Sequence, residues 1–190
     1  MTGYAVRPPR VRREKPRVGA FTSADVPKIL ALTPDLVLTF SDLQADIAAD
    51  LIRKGVQVHA FNQRDIEGIF GMIRTVGALT GCSARAAKLV DAYAMRVARV
   101  AAHTRPHRPR VWFEEWDEPL ISGIRWVSQL IEVAGGQDVF ADLSHGPGAR
   151  ERIVTPEAAA AAMPEVILAS WCGKKVVPAR IAGWPGWDRV

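Results

Sequence analysis

Apolar residues in the first third of the chain change repeatedly between helical and strand spacing. Leu43, Ile47 and Leu51 recur every four residues and predict an amphipathic helix, while LVLTF and VQVHAF on either side have the length of buried strands. The predicted elements are a helix over 24–32 capped by Ser23, a strand over 36–40, a helix over 42–54 capped by Asp42, and a strand over 56–61. Because short loops join them, strand, helix and strand indicate a βαβ unit with parallel strands.

Two longer helical patterns interrupt this alternation. Residues 65–80 and 84–103 each predict a helix, and Gly81-Cys82-Ser83 separates them. A new apolar run of strand type begins at Val111. Two helices of this length are more than one crossover connection between parallel strands requires. We therefore expect the second helix to be a rigid connector between two α/β units.

An internal repeat supports two units. Residues 30–38 match residues 160–168 at a constant offset of 130, and each copy reads as a helix end, Pro-acid and a buried strand. The predicted fold class is therefore α/β, with two Rossmann-like lobes that have parallel sheets and are joined by one long α-helix. The predicted domains are a basic extended arm (1–17), an N-terminal α/β lobe (18–82), a connecting helix (83–104) and a C-terminal α/β lobe (105–190).

The charge of the chain is concentrated in the arm. The chain has 25 Lys and Arg against 20 Asp and Glu, a net charge of +5, and residues 1–17 hold six of the bases but one acid. Pro8, Pro9 and Pro16 predict that this arm is extended and contains no helix. The remainder is neutral, so nucleic-acid binding, which needs a basic face on the folded body, is not expected.

Composition excludes several further classes. A hydrophobic content of 48% with 24% charged residues is typical of a globular protein and excludes disordered and fibrous chains. No apolar run reaches about 18 residues, so no membrane span is expected. The first residues lack the apolar core of a signal peptide, which favours the cytoplasm if that N-terminus is genuine. Cys82 and Cys172 cannot build a disulfide framework.

Candidate ligand contacts follow the predicted strands. Ligands of open parallel sheets bind beyond the carboxyl ends of the strands. Those ends carry aromatic, hydroxyl and acidic residues: Phe40-Ser41, Phe61-Asn62, the run Glu114-Glu115-Trp116-Asp117-Glu118, and Ser170-Trp171-Cys172-Gly173. Two lobes facing each other there would form a cleft for a large, flat, partly apolar ligand. Trp171 is expected to line the cleft and Trp112 to lie in the core, while Trp126 suits either role.

The acidic run admits three interpretations. It is a solvated loop, a ligand contact around Trp116, or a metal or paired-carboxylate site. The chain has no Gly-x-Ser-x-Gly elbow, Walker loop, Gly-x-Gly-x-x-Gly or Cys-x-x-Cys, which favours binding over catalysis. The alternative function is a small cytosolic α/β metal-dependent enzyme that uses residues 114–118 to hold the ion.

Three segments resemble the helical-backbone periplasmic binding proteins, the cobalamin and iron-siderophore receptors of ABC importers. VGAFTSADVPKILALTPDLVLTF is similar to the N-lobe signature of that family. Residues 120–140 are similar to its C-lobe opening, which ends in A-G-G-x-x-[VI]-F, and residues 155–168 to a third element. The segments span about residues 17–175, and they are closest to the cobalamin branch.

The resemblance implies a solute-binding protein without catalysis, cofactor or resident metal. Its ligand would be cobalamin by first choice and haem or a ferric siderophore by second choice. Phe40 and Leu120 occupy the positions at which members of the family have aromatic residues in the ligand cleft, although Leu120 is not aromatic. Together with the other strand-end and cleft candidates, the predicted ligand contacts are Phe40, Ser41, Phe61, Glu115, Trp116, Leu120, Trp126, Trp171 and Cys172.

The resemblance also implies a partner and a location. Members of the family dock on the transmembrane subunits of an ABC permease through one acid per lobe, and those positions fall at Asp46 and Glu157. They act in the periplasm. Family members begin with a further strand and helix after a signal peptide and end with further strands and a helix. We therefore expect this chain to be shortened at both ends by about one helix–strand unit per lobe.

Overall fold

A computed structural model describes residues 1–3, 5, 7–103, 106–171, 173–184 and 187 of the chain. They divide into two compact units, residues 1–63 and 64–190. The first unit contains α1 (Val11–Glu14), α2 (Val26–Ala31), β1 (Val37–Phe40), a 3₁₀ turn (Asp42–Gln44), α3 (Ala45–Arg53) and β2 (Val58–Phe61).

The second unit begins with two helices and continues as a parallel sheet with flanking helices. Its elements are α4 (Ile66–Leu79), α5 (Ser83–Ala101), β3 (Arg110–Glu114), β4 (Trp116–Asp117), β5 (Leu120–Ile121), α6 (Arg125–Val133), β6 (Gln137–Asp138), α7 (Pro156–Ala161), β7 (Val166–Ala169) and α8 (Pro178–Ala182). Two 3₁₀ turns, Ala141–His145 and Arg150–Arg152, lie between β6 and α7. None of the helices formed by the described residues is both long and apolar enough to cross a bilayer.

The βαβ unit predicted for the first third of the chain is confirmed. Strands β1 and β2 are parallel, with Val37 opposite Val58 and Phe40 opposite Phe61, and α3 connects them. The predicted caps were wrong by one or two residues. Asp25 rather than Ser23 caps α2, because its carboxylate accepts the amide hydrogen of Lys28.

The 3₁₀ turn after β1 has a cap that also differs from the prediction. The hydroxyl of Ser41, and not the side chain of Asp42, accepts the amide hydrogen of Leu43 at 3.2 Å. Ser41 is the residue that still lies outside the turn, so its side chain can reach back to an unpaired amide. The hydroxyl of Ser41 is thereby used to start the turn that leads into α3.

The prediction that the basic arm contains no helix is wrong. Residues Val11–Glu14 form one α-helical turn. Prolines break a helix from within, whereas Pro8 and Pro9 precede this turn and Pro16 follows it. The segment also returns to the body of the first unit, since the amide of Gly3 donates to the carbonyl of Gly19 at 2.7 Å.

The second unit is built around β3. The sheet order is β6-β3-β7, and all three strands are parallel. Val111 and Trp112 lie on opposite faces of β3, as successive residues of a strand do. Val111 packs with Val127 and Ile131, while Trp112 belongs to a second core cluster with Leu120, Val154, Ala159 and Trp187. Trp112 is fully buried, which confirms its predicted place in the core.

The internal repeat extends to the backbone. Helices α2 and α7 begin and end at residues related by the same offset of 130. Just beyond them, Thr33 and Met163 both adopt positive φ, 45° and 44°, which is uncommon for residues other than glycine. A proline follows each, and a strand begins within a few residues. The same helix-to-strand junction is therefore built in both units.

Helices α4 and α5 pack closely within the second unit, and their extents confirm the two long helices predicted from spacing. The contact depends on Gly77, because a Cβ atom there would lie 2.3 Å from the Cβ of Ala86. Gly77 and Ala86 are both buried. Two small residues thus allow the helices to approach one another across the turn at residues 80–82.

Candidate functional site

The acidic run folds inward at the carboxyl end of β3. Glu114 is the last residue of β3 and Asp117 ends β4, and both are 0% exposed. Strands β4 and β5 form a short antiparallel hairpin that begins within the run. The interpretation of the run as a solvated loop is therefore wrong for these two carboxylates, whereas the side chain of Glu118 is 81% exposed.

Glu114 is held by two indole groups. The Nε1 atoms of Trp171 and Trp112 donate to its two carboxylate oxygens, at 2.8 and 3.3 Å. Burial raises the pKa of Glu114, and the nearby charge of Asp117 adds to the rise, while the indole hydrogen bonds and Lys174 oppose it. Glu114 accordingly joins the core tryptophan of β3 to the tryptophan that follows β7.

The environment of Asp117 lowers its pKa, in contrast to that of Glu114. Burial by itself would raise the pKa of Asp117, but the hydrogen bond and charge of Lys174, with the charge of Arg180, hold that pKa below its ordinary value. Lys174 Nζ contacts one carboxylate oxygen, and Arg180 Nη1 lies 3.0 Å from the other. The buried carboxylate is thus paired with two cations.

The ammonium group of Lys174 also lies against aromatic rings. Its Nζ is 4.0 Å from the ring centroid of Trp116 and 5.2 Å from that of Trp171. Such cation–π contacts order both the cation and the ring. The indole N–H of Trp116 donates to the carbonyl of Glu118 at 3.0 Å, which fixes the ring plane relative to the hairpin.

Glu115 is paired with an arginine that follows it by 37 residues. The guanidinium of Arg152 donates to both carboxylate oxygens of Glu115, at 2.7 and 3.2 Å, in a bidentate pair. Arg152 is buried, and it also donates to the carbonyls of Ser122 and Gly148. This one side chain ties the hairpin to the 3₁₀ turn that precedes α7.

The structure separates the predicted contacts of the second unit into two groups. Glu115, Trp116 and Trp126 are partly exposed, although Trp126 packs beside the cluster around Val111. Leu120 and Trp171 are 3% and 5% exposed, so a ligand would reach neither without displacing the side chains that cover them. Cys172 lies outside the described residues.

The predicted ligand contacts of the first unit lie at the carboxyl ends of its two strands, which are neighbours in the sheet. Phe40 is opposite Phe61 in the register, and the ring of Phe40 is 38% exposed. Phe21 packs against Phe40 with ring centroids 5.0 Å apart, and His59 packs against Phe61 at 4.5 Å. Ser41 follows with a positive φ of 53°. These residues give the carboxyl edge of this sheet an aromatic surface.

Sequence reasoning missed three residues that organise the site, Lys174, Arg180 and Arg152. A signal did exist, because a buried carboxylate needs a cationic or hydrogen-bonding partner. Which cation meets which carboxylate is not encoded locally, since Lys174 is 57 residues from Asp117.

The carboxylates of the run do not converge on one point. Glu114 is bound by indoles, Glu115 by Arg152 and Asp117 by Lys174 and Arg180. Among the described residues, no group of three or more His, Cys, Asp or Glu side chains could hold a metal ion. The alternative of a metal-dependent enzyme using residues 114–118 is therefore not favoured.

The two acids that the resemblance assigns to permease docking each lie in the first turn of a helix. Asp46 lies in the first turn of α3 and Glu157 in the first turn of α7. Both are exposed. Each carboxylate is favourably placed near a helix N-terminus, whose partial charge is positive.

The fold recurs in solved structures. One is a periplasmic heme-binding protein from Pseudomonas aeruginosa, with a TM-score of 0.74 and 20% identity over 95% of this chain and 67% of that one. Another is the periplasmic vitamin B12-binding protein of Vibrio cholerae, with a TM-score of 0.68 and 23% identity over 88% of this chain and 65% of that one. At these identities, the likeness shows a shared fold.

Sequence comparison gives the family. A curated cobalamin-binding protein of Halobacterium salinarum is 30% identical over 130 residues, which is 66% of this chain; the match covers 35% of that relative. The family described as periplasmic binding protein matches residues 2–190, so the match includes the basic segment as well as both units. The chain belongs to the periplasmic binding protein family.

Proposed function

We propose that the chain is the solute-binding component of an ABC importer and that it binds cobalamin or a related metal chelate. The observation that carries this proposal is that each unit has aromatic side chains at the carboxyl ends of its strands. Phe40 and Phe61 form such a surface in the first unit, and in the second unit Lys174 lies over the ring of Trp116. Membership of a family of substrate-binding proteins and the likeness to cobalamin- and heme-binding proteins support it.

The chemistry of the surface suits a chelate with a flat, partly apolar body and anionic substituents. Exposed aromatic rings offer stacking area at little entropic cost. Lys174 and Arg180 keep part of their side chains exposed, 36% and 49%, while Asp117 holds them in place. They are thus positioned to receive a carboxylate or phosphate without first being ordered. Haem and ferric siderophores are the second choice of ligand, because the same aromatic and cationic groups could bind them.

The direct test is calorimetric and fluorescence titration of the purified chain with cyanocobalamin, hemin and a ferric hydroxamate siderophore. We expect saturable binding of one of them at micromolar concentration. Trp116→Leu should weaken it about tenfold through lost stacking. Tyr93→Leu, which removes an exposed aromatic ring from α5, should not. Absence of saturable binding by all three compounds would refute the proposal.

The proposal includes a partner and a location. Delivery to the transmembrane subunits of the importer would take place outside the cytoplasmic membrane, with Asp46 and Glu157 meeting basic residues of the permease. Complementary surface charge mainly sets the rate and specificity of such docking. Asp46→Lys and Glu157→Lys should therefore lower ligand-stimulated ATPase activity of a reconstituted importer while ligand affinity stays unchanged. Asp91→Lys, an exposed acid of α5, is the matched control.

A further inference from the structure

The first unit contains an apolar cavity of about 300 Å³ that takes no part in the surface described above. It lies among α2, β1, α3 and the segment around residues 18–20. Phe40, Ser41 and Phe61 are not among its lining residues. Most of its wall is aliphatic, contributed by Ile29, Leu32, Val37, Ile47 and Leu51.

Thr39 places a polar group in this wall. It lines the cavity and is 6% exposed, and its Oγ1 atom has no hydrogen-bond partner among the described residues. A buried hydroxyl is normally paired with a protein group or with water, so this one can pair with a molecule that enters the cavity.

The amide of Gln44, which also lines the cavity, is already engaged. Its Oε1 accepts the amide hydrogen of Phe40 at 3.0 Å, and its Nε2 donates to the carbonyl of Phe21 at 2.8 Å. One acceptor site and one donor of the Gln44 amide are thus used, whereas the hydroxyl of Thr39 has no partner among the described residues. Ser23 and Thr2 also line the cavity, and Thr39 is the lining hydroxyl residue that is both buried and unpaired among the described residues.

We propose that this cavity binds a small, largely apolar molecule that carries one hydroxyl or carbonyl group, which pairs with the hydroxyl of Thr39. The volume is at the lower end for ligand pockets, and it is large enough for a molecule of the size of phenol. Aliphatic cavities of smaller size bind molecules such as benzene. The site is independent of the chelate-binding surface, so the two can be tested separately.

The test compares phenol with toluene, which have the same shape and differ in the hydroxyl group. Titration of the isotopically labelled full chain should shift the methyl NMR signals of Ile29, Ile47 and Leu51 saturably at millimolar phenol. Thr39→Val removes the hydroxyl at constant shape and should weaken phenol binding about fivefold. Toluene binding should be unchanged or tighter in this variant.

Two further sets of variants complete the experiment. Thr75→Val is the matched control, because the hydroxyl of Thr75 donates to the carbonyl of Gly71 within α4, and it should leave both affinities unchanged. Ala24→Leu should fill the cavity and abolish binding of both compounds; Leu32→Phe serves if that variant does not fold. Shifts that do not saturate by about 10 mM, or that map outside the cavity, overturn the site. Equal effects of Thr39→Val on phenol and toluene overturn the role of its hydroxyl.

Discussion

The indole Nε1 of Trp171 donates a 2.8 Å hydrogen bond to Oε1 of Glu114, and both side chains are buried. Asp117, three residues after Glu114, is equally buried but is paired with two cations. The pKa of Glu114 is raised and that of Asp117 is lowered. Burial acts to raise both pKa values; the indole donors do not offset it at Glu114, whereas the hydrogen bond and charge of Lys174, with the charge of Arg180, do so at Asp117.

Glu114 should make the free energy of unfolding fall as pH rises. Its folded pKa lies above its ordinary value of 4.5, so the folded state retains a proton that the unfolded state has lost. Stability is lost as pH rises from about 4.5 through the raised pKa. Glu114→Gln should remove this dependence, measured by urea unfolding at several pH values, and the exposed Glu132→Gln should keep it. An unchanged pH profile in Glu114→Gln would contradict the assignment.

Glu114→Leu should destabilise the second unit across the whole pH range. The substitution leaves the indole N–H groups of Trp112 and Trp171 buried and unpaired. An unsatisfied buried donor costs about 1–3 kcal/mol, so a loss of roughly 2 kcal/mol or more is expected. Tryptophan emission should change with it. A variant as stable as the wild type would show that neither indole depends on this carboxylate.

Asp117 should show the opposite pH dependence. Its folded pKa lies below the ordinary 3.8, so it stabilises the fold above that pH, and the contribution is lost as pH falls through the folded pKa. Asp117→Asn should cost about 2 kcal/mol at pH 7, because Lys174 and Arg180 lose a charged acceptor although both cations stay partly exposed. Glu118→Gln removes an exposed partner of Arg180 and should cost less than about 0.5 kcal/mol. Equal losses in the two variants would be inconsistent with this account.

Arg152→Lys should destabilise the chain by about 2 kcal/mol, although the charge is retained. A lysine cannot make the bidentate pair with Glu115 and reach the carbonyls of Ser122 and Gly148 at once. Arg150→Lys, at an exposed position two residues earlier, is the control and should be neutral. Thermal unfolding of the two variants measures the difference. A neutral Arg152→Lys would mean that the hairpin is held by its backbone pairing.

Two glycines of α4 should respond in opposite directions to alanine. A Cβ at position 77 would collide with Ala86, so Gly77→Ala should cost about 2 kcal/mol. A Cβ at position 71 meets nothing within 4 Å, so Gly71→Ala should stabilise the helix by up to about 1 kcal/mol. Urea unfolding monitored by circular dichroism gives both values. Stabilisation by both substitutions would show that α4 and α5 can separate without cost.

The internal repeat shows how far local sequence determines local structure. Pro34-Asp35 and Pro164-Glu165 predicted two equivalent helix-to-strand junctions, and the backbone agrees even in the positive φ of Thr33 and Met163. Spacing also predicted the βαβ unit and both long helices. Caps were less accurate, because Ser23 and Asp25 are both good capping residues and the choice depends on where the chain turns.

The ligand contacts remain a prediction, and the sequence indicated where they lie in the chain but not what surrounds them. The rule that ligands bind at the carboxyl ends of strands selected the acidic run and the aromatic residues. It could not tell that Trp171 is covered and Trp116 partly exposed, because exposure depends on which side chains fold over a ring. Here Lys174 lies over both rings, and Arg180 adds a contact to that of Trp171.

The sequence by itself determined the βαβ unit, the two long helices, the repeat and the family, because these depend on the spacing of apolar residues and on local turn chemistry. Only the tertiary structure decided which carboxylates are buried and what pairs with each. Lys174 and Arg152 meet their acidic partners across 57 and 37 residues of chain. Charges that distant in sequence interact only after folding has brought them within a few ångströms and removed the water between them.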